Sequence, residues 1–342
     1  MPSFNIIITT PLRSYCSNFN MLKRVNTLGL FIFFLPLLCL GQETDPGPGF
    51  QMMMMNNPSL AGSGGDGSLR LSYLNFYPGN NYNLHSVYFS YDAYYSELHG
   101  GAALYLSDDY LGGIINDFRG GFSYAYFLQA GKDLFINAGL SASIFHRGFN
   151  FENAVLPDQI DPLGGVSVPS SELLVSSGKT VFDIGAGFLF TSGKLSGGFS
   201  INHLAEPDLS ATGNSNERLK RKLLIHLSGD FSLNEEKNLK IQPLTFFEVQ
   251  GGYINGGAGT AIESKYLAIN ALFLGDNGKN LNIQTGFSFY TGRITVYYNY
   301  RFNLVSENNL LPLSLLHQAG LAFNLDNVEK RNAIKTINFP KL

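Results

Sequence analysis

From Leu71 to Leu325 the chain is a succession of short segments in which apolar and polar residues alternate. LSYLNFY (71–77), LHSVYFSYDAY (84–94), ELHGGAALYLS (97–107), FRGGFSYAYFL (118–128) and DLFINAGLSASIF (133–145) come first. TVFDIGAGFLF (180–190), KLSGGFSINH (194–203), KLLIHLSGDFSL (222–233), LKIQPLTFFEVQ (239–250), a weaker stretch near 258–265 and LAINALFL (267–274) follow. A hairpin, NLNIQTGFSFYTGRITVYYNYRF (280–302), and LSLLHQAGLAFNL (313–325) close the series. Side chains on a strand point to opposite faces with period two, so each segment predicts a strand with one apolar and one polar face. In the hairpin, Ile294, Val296, Tyr298 and Tyr300 alternate with Arg293, Thr295, Tyr297, Asn299 and Arg301 across a short Thr291-Gly292 turn. No helical run of useful length separates the strands, which argues against a parallel βαβ architecture.

Strands of about 9–11 residues, apolar outside and polar inside, are the signature of a transmembrane β-barrel. The second faces carry Gly, Ser, Asn, Gln and Thr in place of the apolar residues that a sandwich core needs. The spacing places short turns near 95–97, 129–132, 192–193, 234–238 and 291–292. Longer links are expected at 108–117, 148–179, 204–221 and 304–312. Such alternation fits periplasmic turns and external loops. With both ends on one side the strand number is even. Fourteen is the reading for an all-β antiparallel barrel over residues 69–325, with twelve and sixteen as alternatives.

Composition agrees. Charged residues are 14%, well below the roughly 25% of a typical soluble domain, while Gly 38, Tyr 18 and Phe 28 are high and Trp is absent. The net charge of −3, without a long basic run, argues against a nucleic-acid partner. Met21-Leu22-Lys23-Arg24 precedes an apolar run from Leu28 to Leu40, with smallish residues before a cut after Gly41. That is the layout of a signal peptide, too short to span a bilayer. Residues 21–41 are therefore read as a leader, Met21 as the true start, and residues 1–20 as a spurious extension. Both cysteines, Cys16 and Cys39, fall at or before the cut, so the mature chain is expected to hold neither disulfide nor cysteine metal site. Residues 42–68 form an N-terminal periplasmic or lumenal segment, in which the methionines of FQMMMMNNPSLAG (50–62) suit packing inside the barrel. Residues 326–342 form a short tail.

Catalytic chemistry finds little support. The histidines at 85, 99, 146, 203, 226 and 317 lie on or beside separate strands, and H-E-x-x-H, G-x-S-x-G and P-loop patterns are absent. His226, Ser228 and Asp230 share one strand face, as neighbours on any polar barrel wall do. No catalytic, cofactor or metal residue is assigned. Arg218, Lys220, Arg221 and Lys222 form a basic cluster that reads as a solvated loop end or as a contact with lipid phosphates. Glu152 to Gly178 is the longest link, able to fold over the barrel mouth.

A family resemblance rests on particular residues. Gln51, the methionine run and Asn57-Pro58-x-x-Ala61-Gly62 resemble the start of mature PorP/SprF-type proteins, the outer-membrane barrels of the type IX secretion and gliding machinery of Bacteroidota. Ser90-Tyr91-Asp92, Gly100-Gly101, Asp108-Asp109 with Gly112 in the next loop, Tyr124-Ala125-Tyr126 and His317 agree in order. LSYLNFYPG (71–79) departs from the Arg and Trp usual there, and Gln318 replaces an acidic residue. The resemblance implies a non-enzymatic outer-membrane component that exports or anchors an adhesin-like surface protein. Its implied partners are the C-terminal region of that cargo, other type IX components and outer-membrane lipid. Candidate partner contacts are Glu152, Asp158 and Asp161 of the long loop, with Arg293 and Arg301 of the wall. A general porin or solute transporter is the alternative.

Overall fold

The computed structural model describes residues 52–65, 67–78, 84–151, 155, 159–161, 165–166, 177–210, 217–234, 239–305 and 316–325. All belong to one compact unit, Cys39–Leu342. The leader, residues 1–41, and the tail, 326–342, lie outside the described residues.

Fourteen strands form the wall. They are β1 (Ser68–Phe76), β2 (Leu84–Tyr95), β3 (Gly100–Leu111), β4 (Ile115–Gln129), β5 (Leu134–Phe149), β6 (Ser177–Ser192) and β7 (Leu195–Asn202). The second half is β8 (Lys222–Gly229, prolonged by Phe231–Ser232), β9 (Leu239–Gln250), β10 (Tyr253–Ser264), β11 (Leu267–Asp276), β12 (Leu281–Thr291), β13 (Ile294–Val305) and β14 (Leu316–Asn324). Each pairs antiparallel with its sequence neighbours, and β14 returns to β1 from Ser68↔Asn324 to Phe76↔Leu316. The ring is therefore closed, and each described strand of the wall has a partner on both sides, as a bilayer requires. The expected strand number of fourteen holds.

Alternation sorts the two faces. Along β6, Phe182, Ile184, Phe188 and Phe190 are exposed while Asp183, Gly185, Gly187 and Leu189 are buried. Leu104, Leu140, Ile144, Ile225, Ile269 and Phe273 continue the exposed apolar surface around the ring. Toward the loop rim this band meets Tyr73, His85 and Tyr110, with the His85 and Tyr110 rings stacked at 4.9 Å. Tyr298 and Tyr300 flank His317 at the same rim. Tyr91, Tyr95 and Tyr124 mark the opposite one. Apolar outside positions between two aromatic girdles are the arrangement of a membrane-spanning barrel.

Two strand boundaries differ from the sequence reading. Asp108 and Asp109, expected in a long link over 108–117, lie on β3, and the connection is only a turn at Gly112–Ile114. Consecutive glycines at positive φ make so tight a reversal possible. The weak stretch near 258–265 is a full strand, β10, that begins at Tyr253. Its Asn255-Gly256-Gly257-Ala258-Gly259 run carries too few side chains to show a pattern.

Depth and face together predict mutational cost. Ile225, mid-strand and 59% exposed, faces lipid, and Arg there is expected to cost about 2–4 kcal/mol. Val296 also faces outward but lies beside the Gly292–Arg293 turn, so Val296→Arg should cost less. Folding titrations into lipid vesicles, read by heat-modifiable gel migration, check this order.

Candidate functional site

Residues 52–65 occupy the lumen. Four residues, Met53–Asn56, form the short helix α1, and Pro58–Leu60 a single 3₁₀ turn, with Asn57 between them in extended conformation. The Asn57 carboxamide caps that turn by accepting from the Ser59 amide at 3.0 Å and the Ser59 hydroxyl at 2.7 Å. Proline follows directly at the first position of the turn, where a missing N–H costs nothing. Met52, Met54, Leu60 and Ala61 are buried with wall residues Leu74, Tyr88, Leu189, Leu224 and Phe246.

The wall reads the plug mainly through its main chain. Asn202 Nδ2 donates to the Met55 and Asn56 carbonyls at 3.0 and 3.3 Å, and Ser200 Oγ donates to the Asn56 carbonyl at 2.6 Å. Asn137 Nδ2 reaches the Ser59 carbonyl at 3.5 Å, and the Gly62 amide donates to Asp92 Oδ2 at 3.0 Å. The other oxygen of Asp92 accepts from Arg70, which neutralises the carboxylate inside the barrel. In return, Asn57 Nδ2 donates to the Phe188 and Phe199 carbonyls, both at 3.4 Å, and lies 3.3 Å from His226 Nε2. Three wall glycines make this approach possible, Gly101 lying against the Ala61 carbonyl. A Cβ on Gly139 would collide with the Ser59 backbone, and one on Gly187 with the Asn57 carboxamide.

Above the plug, toward the loop rim, the lumen is charged and paired. Arg147 grips Asp117 with two bonds, 2.7 and 2.6 Å, and Arg119 lies 4.7 Å from the centre of the Phe145 ring. The link between β7 and β8 folds inward there, burying Leu209 and Leu219 against Phe145. Bonds from the Ser210 amide and hydroxyl, with Lys179 at 3.3 Å, hold the Asp208 carboxyl below the usual carboxylate range. His203 Nδ1 meets Asp183 at 2.6 Å, and Lys222 meets Glu248 at 3.2 Å, all four side chains buried. On the β11–β14 side the wall carries a chain of amides. Asn270 donates to Asn299 at 3.0 Å, and Asn299 to Gln318 at 3.1 Å.

These placements answer the sequence-derived candidates one by one. Arg301 is lumenal and donates to Gln284 Oε1 at 2.9 and 3.2 Å. Arg293, expected on the inner face, is exposed in the Gly292–Arg293 turn at the opposite rim, because β12 runs on through Thr291. The two arginines therefore share no site. Asp161 belongs to a two-residue pairing with Gly165, and Glu152 and Asp158 lie outside the described residues. The basic cluster divides. Arg218 and Arg221 stay exposed, whereas Lys222 turns inward to Glu248 because it is the first inward position of β8. His226, Ser228 and Asp230 do share the inner side, but with separate partners: Asn57, the Ser196 carbonyl and Lys240. The inner faces also hold more apolar bulk than expected, with Leu244, Phe246, Leu272 and Leu274 pointing inward. Sequence reasoning missed Asn57 as the anchor, although Asn-Pro-Ser is a readable cap signal.

The family model described as type IX secretion system membrane protein PorP/SprF matches residues 50–274, more than half of the chain. The chain belongs to that family. The match begins at the plug and ends in β11. No curated protein matches. Among solved structures, the Ralstonia pickettii toluene transporter TbuX is 15% identical, with a TM-score of 0.46, covering 83% of this chain and 93% of its own. The Pseudomonas putida toluene transporter TodX is 11% identical at a TM-score of 0.43, covering 79% and 91%. The Acinetobacter baumannii outer membrane protein Omp33 is 9% identical at 0.38, covering 76% and 99%. Its family and its closed ring make this PorP/SprF protein an outer-membrane β-barrel of type IX secretion.

Asn57 is fully buried, and removing a buried hydrogen-bonding side chain leaves its partners unpaired at about 1–3 kcal/mol. Asn57→Ala should loosen the plug while the barrel keeps its heat-modifiable migration. Thermolysin cleavage within residues 52–60 of the folded protein is expected to rise at least fivefold over the native chain, since about 1 kcal/mol corresponds to that factor.

Proposed function

We propose that this PorP/SprF protein is a non-enzymatic export component that holds the C-terminal region of one secreted, surface-displayed protein at the outer face of the barrel. The observation that carries this reading is the filled lumen. Met54, Asn57 and Leu60 occupy the middle of the barrel, and Leu209 and Leu219 pack inward near its mouth. A wall whose interior is occupied by its own chain suits holding a polypeptide outside better than free passage of solutes. The link between β5 and β6 is the long external one, and its acidic residues Glu152, Asp158 and Asp161 are the candidate contacts for cargo. Arg301, paired with Gln284, belongs to the wall that supports the mouth. Arg293, exposed at the turn rim, is the candidate contact for other secretion components on the periplasmic side.

Deleting residues 152–174 should leave both flanking strands and a heat-modifiable barrel, and abolish surface display of one specific protein. Surface-proteome comparison by mass spectrometry checks it. An unchanged surface proteome with reduced small-solute uptake would favour a transporter instead.

A further inference from the structure

The plug is bound much as a separate peptide ligand would be. Asn202, Ser200 and Asn137 donate to its carbonyls, and Asp92 accepts from its Gly62 amide. Main-chain recognition of this kind depends on the path of the bound segment more than on its side chains. Gly139 and Gly187 leave room for a backbone to lie against the wall, which is how a groove for polypeptide is built. The two Asn57 bonds to wall carbonyls, both 3.4 Å, and the Asn137 bond, 3.5 Å, are at the long end of the hydrogen-bond range. Between plug and β1 the chain runs Gly62-Ser63-Gly64-Gly65-Asp66-Gly67. Gly62 and Gly65 have positive φ, and a Cβ on Gly64 would meet nothing within 4 Å. Gly62 packs against the Ala93 carbonyl and the Gly101 Cα, so the freedom to rotate lies further along, at Gly64, where space is open.

We infer that the inner wall of β5–β8 is a peptide-binding groove, occupied at rest by residues 55–62 and able to exchange them for a segment of another polypeptide when the plug swings out on its glycine tether. The partner is defined by chemistry: an uncharged segment with one extended residue between two tight turns, presenting carbonyls to Asn202, Ser200 and Asn137. That this partner is a secreted protein rests on the function proposed above, whereas exchange itself does not.

A tethered plug competes with any free peptide at an effective concentration on the order of millimolar, so the test weakens the plug and leaves the groove intact. The full chain carrying Asn57→Ala, purified in detergent, is titrated with a fluorescein-labelled peptide of native sequence, residues 51–64. Binding by anisotropy is expected to be at least tenfold tighter than to the native chain. If Asn57→Ala does not give a heat-modifiable barrel, Ser59→Ala serves, because it also weakens only the plug. A second chain, Asn57→Cys with Gly187→Cys, locks the plug in place. A Cβ at 187 lies 3.0 Å from the Asn57 Cγ, close to where a cysteine sulfur at 57 would sit. Oxidation of this chain should abolish binding of the same peptide carrying Asn57→Ala, which clears the side chain added at 187, and dithiothreitol should restore it. No binding to the weakened barrels, or equal binding to the oxidised lock, overturns the inference. Peptide exchange in a protein whose 152–174 deletion still displays its cargo supports the groove and overturns only the proposed function.

Discussion

Closure of the hydrogen-bonded ring is the constraint on which everything else in this protein depends. Inside a bilayer each unpaired backbone amide or carbonyl costs several kcal/mol, so a sheet survives there only if its first strand meets its last. Here that meeting is the nine-residue ladder between β1 and β14. Once the ring is closed, one side of every strand belongs to lipid. The apolar positions that a soluble protein would bury are turned outward, which is why Ile225, Phe182 and Leu140 are among the more exposed residues of the molecule.

Closure also creates an interior that must be filled. A ring of this size is wider than opposing side chains alone can bridge, and residues 52–65 supply the filling. The filling is heterogeneous for physical reasons. Charges taken into the lumen are paired, as in Arg70–Asp92, Arg147–Asp117 and Lys222–Glu248, because a lone buried charge would be far more costly. Apolar plug residues meet the inward Leu189 and Phe246, while the plug backbone meets amides and glycines. The result is a lumen whose buried ion pairs are matched and whose contacts with the plug are made by particular side chains.

Much of the wall was legible in the chain because strand periodicity is local. The faces of β5, β6, β8, β12 and β13 follow directly from which residues alternate. β10 was faint because glycine and alanine thin out both of its faces, and the turn at Gly112–Ile114 was hidden by two aspartates that look like loop residues. The interior was harder. That Lys222 meets Glu248, or that Asn57 meets His226, depends on contacts between residues far apart in sequence, which no local pattern carries. The methionine run hinted at packing inside the barrel, but nothing in it points to Gly139 or Gly187 as the surfaces it would lie against.

The account stands or falls on the N-terminal segment being seated inside a closed ring in the membrane. Amide hydrogen–deuterium exchange of the full-length protein in lipid nanodiscs tests this directly. The amides of residues 56–62 should exchange about as slowly as those in the middle of β5 and β6. Exchange of that segment at the rate of a free peptide, with the wall strands still protected, would contradict it.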